Sequence, residues 1–202
     1  QEEGFTLNAV AQYGWHKLLS IYGRADQTVV GTIISGRDLP IEGIEHSVGL
    51  YINTLPLIVD HTRELSLKEQ LKEIQKEIND IQTKSGVHLS SLQRDGQRLF
   101  ASLFVFDNYP RQEEEGGLLD ITFEDSVEKL DYPLAVVASE KRGKLFFKIQ
   151  YDGELFSSKM VENFLHFVES IIEQISSDPN RLVQSLKYPS TPISVPTKET
   201  VS

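Results

Sequence analysis

The feature that most constrains this 202-residue chain is the run Thr28 to Ser35, TVVGTIIS, which is β-branched and apolar almost throughout. The run does not alternate, so it reads as a short strand covered on both faces, which demands a layered domain around it. Like every other apolar run here, it is far short of the roughly 20 residues that span a bilayer as a helix. It delivers Ser35-Gly36-Arg37 at its end. A guanidinium closing an apolar strand needs a partner or costs several kcal/mol.

Helices are legible on either side. From Thr6 the apolar positions Leu7, Val10, Ala11, Gly14, Trp15, Leu18, Leu19 and Tyr22 form the stripe of a core-facing helix, with Thr6 to cap it and Gly23 to end it. Ser66 and Glu69 form a capping box, after which Leu67, Leu71, Ile74, Ile78 and Ile81 repeat at helical spacing towards Gly86. The same spacing fits a coiled coil, but two heptads bracketed by strands pack on a sheet. A third helix, from Ser157 or Ser158 to just before Asp178-Pro179, carries Met160, Val161, Phe164, Leu165, Val168, Ile171, Ile172 and Ile175. A short helix over Pro179 to Leu186 follows it.

Further strands are expected at Val48 to Val59, where Pro56 implies an edge or a break, and at Leu99 to Asn108. Leu118 to Glu124 has strand character. Leu134 to Ser139 and Lys144 to Tyr151 read as a hairpin turning at residues 140–143, with Leu145, Phe147, Ile149 and Tyr151 on one face. The order α-β-β-α-β-β-β-β-α gives an α/β chain of the two-layer, α+β kind, a mixed sheet with helices on one face. The folded unit is expected over residues 1–187, and 188–202, rich in Pro, Ser and Thr, reads as a linker. Gln1 and the single methionine, Met160, suggest an excised or processed piece.

Composition narrows the function classes. Twenty basic against 30 acidic residues give a net charge of −10, which argues against nucleic acid and anionic lipid as partners. Without cysteine there is no disulfide, thiol nucleophile or cysteine metal site, and a cytoplasmic address is expected. The five histidines, His16, His46, His61, His88 and His166, fall in no HxxxD or HExxH pattern, and phosphate-cradling and serine-hydrolase motifs are absent. The polar residues that stand out are those embedded in apolar strands, Arg37, Asn53 and Thr54. Arg37 either pairs with a carboxylate that holds two elements together or serves chemistry directly. Asn53 either satisfies a loop or faces a site.

Taken in order, TLNAVAQYGWHKLL, TVVGTIISGRDLP, VGLYINTLPL, LFASLFVFDNYP, DYPLAV and YDGELF resemble the C-terminal half of the condensation domain of nonribosomal peptide synthetases. The first segment is similar to that family's helix with its Thr, Gln and Trp. The third is similar to its Gly-x-(Phe/Tyr)-(Val/Ile)-Asn-Thr motif, here Gly49, Tyr51, Asn53 and Thr54. The resemblance implies one lobe of the chloramphenicol acetyltransferase-like fold, forming one wall of the tunnel where a carrier-bound amine attacks a carrier-bound thioester. The HHxxxDG motif belongs to the other lobe, so no catalytic residue and no activity are expected of this chain alone.

By the same resemblance, Ser35, Gly36, Arg37, Gly49, Tyr51, Asn53 and Thr54 are structural or tunnel residues, with Arg37 pairing with the aspartate of HHxxxDG and Asn53 near the thioester. Residues 38–47 correspond to a crossover near the tunnel floor, and Leu118 to Val127 to a segment reaching the other lobe. Implied partners are the N-terminal lobe, peptidyl carrier proteins with their phosphopantetheine arms, and a downstream adenylation domain. No cofactor or metal is expected to bind directly. The chain departs from the family at Ile58, where arginine is common, and at Val87 to Leu92, where only His88 hints at a later polar motif. A non-catalytic carrier-docking or scaffold module is the alternative. An independent acetyl-coenzyme A acyltransferase lacks its HxxxD.

Overall fold

The computed structural model describes residues 4–35, 52–83, 98–107, 132–141 and 143–189. Among these, three helices lie over a five-stranded mixed sheet, the architecture read from the sequence. The elements are α1 (Leu7–Gly23), β1 (Gln27–Ser35), β2 (Ile52–Asp60), α2 (Leu67–Thr83), β3 (Ser102–Asp107), β4 (Leu134–Lys141), β5 (Lys144–Tyr151) and α3 (Ser158–Ser177). The strand order is β2-β1-β3-β4-β5. β1, β3 and β4 run parallel, flanked by β2 and β5, each antiparallel to its neighbour.

The helix ends follow the capping residues. Thr6 Oγ1 accepts from Ala9 N at 3.3 Å at the start of α1, and Ser157 Oγ from Met160 N at 3.2 Å at the start of α3. The capping box is complete: Ser66 N donates to Glu69 Oε2 at 2.8 Å and Glu69 N to Ser66 Oγ at 3.2 Å. The end of α1 differs from expectation, because the left-handed residue is Arg24 (φ 49°), with Gly23 the last helical one.

The core lies between the layers. Tyr13, Trp15 and Leu18 of α1, Leu71, Ile74 and Ile78 of α2, and Phe164, Val168 and Ile171 of α3 are buried against Val30, Leu57, Phe104 and Val136. Each contributes about 1.5–3 kcal/mol by leaving water. Phe167, absent from the apolar stripe read in the sequence, is also buried. Pro56 pairs with Gly31 on β2, which is an edge strand among the described residues, so the missing N–H interrupts no central ladder. The hairpin turns more tightly than expected, with Lys141 paired to Lys144 and Gly143 at φ +76°.

On the sheet face away from the helices, Phe100 lies across Gly31, where any Cβ would overlap its ring, and stacks on Tyr132 at 5.4 Å. β3 is correspondingly shorter than the apolar run that contains it. After α3 the expected short helix is a single 3-10 turn, Val183–Ser185. This stretch folds back: Leu67 N and Lys68 N, at the start of α2, donate to Arg181 O and Pro179 O at 2.8 and 2.7 Å. Tyr188 then stacks on Phe167 at 5.6 Å, so it packs on the helical layer.

Candidate functional site

Because β1, β3 and β4 are parallel, their C-terminal ends at Ser35, Asp107 and Lys141 share one edge of the sheet. The chain passes from β1 to β2 on one side and from β3 to β4 on the other. The adjacent parallel strands β1 and β3 therefore hand it off in opposite directions. Asn53, at the start of antiparallel β2, pairs with Ile34 and comes to the same edge, and Ser35 pairs with Ile52. The topology thus brings the backbone of Ser35 together with Asn53 and Thr54, three of the positions singled out in the sequence.

Asn53 and Thr54 are half-buried and lie on opposite sides of β2. Asn53 shares the helix-facing side with Leu55, Leu57 and Val59, while Thr54 shares the other with the exposed Ile58. Thr54 N donates to Asn53 Oδ1 at 2.9 Å. Gly36, Arg37, Gly49 and Tyr51 lie outside the described residues, as do the side chain of Ser35, residues 38–47, His88 and Leu118 to Val127. Among the described residues no cluster of three or more metal-ligating side chains occurs, and no helix is long and apolar enough to cross a membrane.

Beneath the edge runs a line of buried polar contacts that the apolar periodicity did not reveal. Gln12 Nε2 donates to Thr32 Oγ1 at 3.2 Å, Trp15 Nε1 donates to Ser102 Oγ at 2.9 Å, and His16 Nδ1 lies 2.6 Å from Thr28 Oγ1. The Thr28 hydroxyl also lies 2.9 Å from His61 Nε2, so it donates to one ring and accepts from the other. Burial holds both imidazoles neutral, lowering His16 to about 3 and His61 to about 4. His16 lies on α1 as the sequence predicts, and is a core residue. The available signal was Asn8, Gln12 and His16 at four-residue spacing in a largely apolar helix. His166 is exposed, 3.5 Å from Glu169.

At the opposite end of β1 and β2 a groove of about 370 Å³ lies between Gln27, Ile58 and Asp60 and the α2 residues Glu73, Lys76 and Glu77. Arg63 reaches both carboxylate oxygens of Glu73 across it, at 2.6 and 2.7 Å. Its mixed charge and its distance from the C-terminal strand ends separate it from the edge that holds Asn53.

A family model for the condensation domain matches residues 1–192. The chain is 42% identical to N-(5-amino-5-carboxypentanoyl)-L-cysteinyl-D-valine synthase of Amycolatopsis lactamdurans over 90% of its own length and 5% of the relative's. It is 32% identical to tyrocidine synthase 3 of Brevibacillus parabrevis, over 87% of its length and 3% of that protein. It thus spans only about a twentieth, or less, of these relatives.

Among solved structures, a four-domain nonribosomal peptide synthetase bound to AMP and glycine superposes with a TM-score of 0.73 at 18% identity, over 91% of this chain and 16% of that one. The X-domain from teicoplanin biosynthesis superposes with a TM-score of 0.72 at 18% identity, over 93% and 45%. With the family model covering nearly its whole length, the chain belongs to the condensation-domain family.

Proposed function

We propose that this chain is the C-terminal lobe of a condensation domain in a nonribosomal peptide synthetase, and that the edge holding Ser35 and Asn53 is its wall of the reaction tunnel. The observation that carries the reading is the convergence of Ser35 and Asn53, from the paired strands β1 and β2, on the edge where the parallel strands β1, β3 and β4 end. A match over 45% of the teicoplanin X-domain chain supports a one-lobe assignment.

In this reading an aminoacyl amine on one carrier attacks the thioester carbonyl held by another. The C–N bond forms, the C–S bond breaks, and the departing pantetheine sulfur takes up a proton. The N-terminal lobe supplies the base through its HHxxxDG histidine, and proximity of the two arms supplies much of the rate. Asn53 offers a neutral amide at the edge, which suits the amides of a phosphopantetheine arm, while Thr54 lies on the opposite face of β2. Asn53 positions the thioester or the oxyanion that forms from it. Arg37 pairs with the HHxxxDG aspartate and holds the two lobes in register. Peptidyl carrier proteins and a downstream adenylation domain are the partners, and residues 188–202 lead towards the latter.

The test supplies two loaded carrier proteins to the full-length protein and to the chain of residues 1–202 alone. Amide product from the full-length protein and none from the isolated chain is the expected result. Turnover by the isolated chain would refute the division of labour. Carrier binding by the full-length protein with no amide formed would instead favour a docking or scaffold module.

A further inference from the structure

The polar contacts beneath α1 do something that apolar packing does not. Gln12 is fully buried and Thr32 nearly so, and their hydrogen bond at 3.2 Å joins α1 to a central strand. Such a bond adds little net stability, because both groups bond to water in the unfolded chain. Gln12 Oε1, moreover, is buried without a partner among the described residues. An apolar pair of the same shape would serve stability at least as well. What the bond adds is alignment, since apolar packing tolerates shifts of a fraction of an ångström while a directional bond favours one position. Gln12 lies over Thr32 and His16 over Thr28, so α1 runs antiparallel to β1. The contact nearest the C-terminal edge is Gln12–Thr32. Thr32 stands three residues before Ser35, and Ile34 between them pairs with Asn53.

We infer that Gln12, acting through Thr32, is a positioning residue for the reaction edge: their bond sets the height of β1 beneath α1, and with it the placement of Ser35 and Asn53. This rests on the functional reading above and deepens it. A residue that serves only the fold loses stability and rate together, whereas this pair separates the two.

The experiment uses the full-length protein with both carriers loaded, and compares the double variant Gln12→Met/Thr32→Val with Thr32→Ser. The double variant removes both polar partners at nearly constant volume, and the serine keeps the hydroxyl. Expected are a single-turnover rate of amide formation lowered about tenfold or more in the double variant, as fits a sub-ångström misplacement. Its melting temperature stays within a few degrees of the unsubstituted protein, its affinity for loaded carriers is unchanged, and Thr32→Ser keeps a near-normal rate. An unchanged rate in the double variant, or a loss that tracks a fall in melting temperature and recurs in Thr32→Ser, would overturn the inference. Asn53→Ala is measured alongside. If it slows the reaction while the double variant does not, only this inference fails; if it has no effect, or the unsubstituted protein makes no amide, the functional reading fails instead.

Discussion

Acidification is the sharpest probe of the polar seam. His16 and His61 meet on the Thr28 hydroxyl, and burial lowers both, to about 3 and about 4. Lys17 disfavours a charge on His61 and Asp60 partly offsets it, while Lys17 is itself buried and held below the usual lysine range, beneath the Tyr188 ring. Both folded-state values lie below the roughly 6.5 of an unfolded histidine, so the unfolded chain takes up protons first as pH falls. The stability linked to these groups is therefore complete above about pH 6.5 and drains away between there and pH 4 to 3. At pH 5.5 each site costs about 1 kcal/mol, and the half-buried His61 less, so the pair removes roughly 2 kcal/mol relative to pH 7.5. That is a large share of the ~5–15 kcal/mol that holds a domain together. The exposed Asp60, Glu69 and Glu162 are held below their usual ranges by hydrogen bonds from Thr62, Ser66 and Lys159, so they stay ionised between pH 7.5 and 5.5. Denaturant unfolding at pH 7.5, 6.5 and 5.5 reads the slope, and His16→Gln should flatten it by about half whatever its baseline stability. A wild-type free energy that does not change between pH 7.5 and 5.5, or a His16→Gln slope equal to wild type, would refute the reasoning.

Other perturbations report on separate contacts. Gly31→Ala drives a Cβ into the Phe100 ring and should cost ~1–3 kcal/mol by denaturant unfolding, with much of the loss disappearing when Phe100→Leu is present in both members of the comparison. Trp15→Phe leaves the buried Ser102 hydroxyl without its indole donor and should cost about 1–3 kcal/mol in the same measurement. Ser66→Ala opens the capping box of α2 and should cost about 1 kcal/mol, visible as a lower denaturation midpoint.

What was legible in the sequence was local. Thr6, Ser157 and the Ser66–Glu69 box announced their helices because capping acts within one turn, and Leu145, Phe147, Ile149 and Tyr151 announced a half-buried strand by alternation. What was not legible was long-range. The parallel pairing of β1 with β3 joins residues about 70 positions apart, and the bond from Trp15 to Ser102 spans 87. No periodicity encodes which hydroxyl a buried glutamine or histidine will meet. The return of residues 179–188 over α2 and α3 was equally hidden, since its hold combines backbone bonds to the start of α2, bonds to the Gln174 side chain and the burial of Val183 and Leu186, pairings that no local pattern specifies. Of the candidate edge, Asn53 and Thr54 stood out because polar residues interrupt an apolar strand, although their placement on opposite faces needed the observed register.

The most direct test of the tunnel-edge assignment places a single cysteine in these 202 residues, which contain none, and locates the adduct by position. A carrier protein bearing a thiol-reactive haloacetyl group on its phosphopantetheine arm is incubated with full-length protein carrying Asn53→Cys, or Leu155→Cys as a control. Leu155 is exposed just after β5 ends, at the opposite edge of the sheet. Mass mapping should find the pantetheine adduct at position 53, with little at 155 under the same conditions. An adduct at 155 equal to or greater than that at 53, or none at 53 from a carrier that otherwise supports amide formation, would contradict the account.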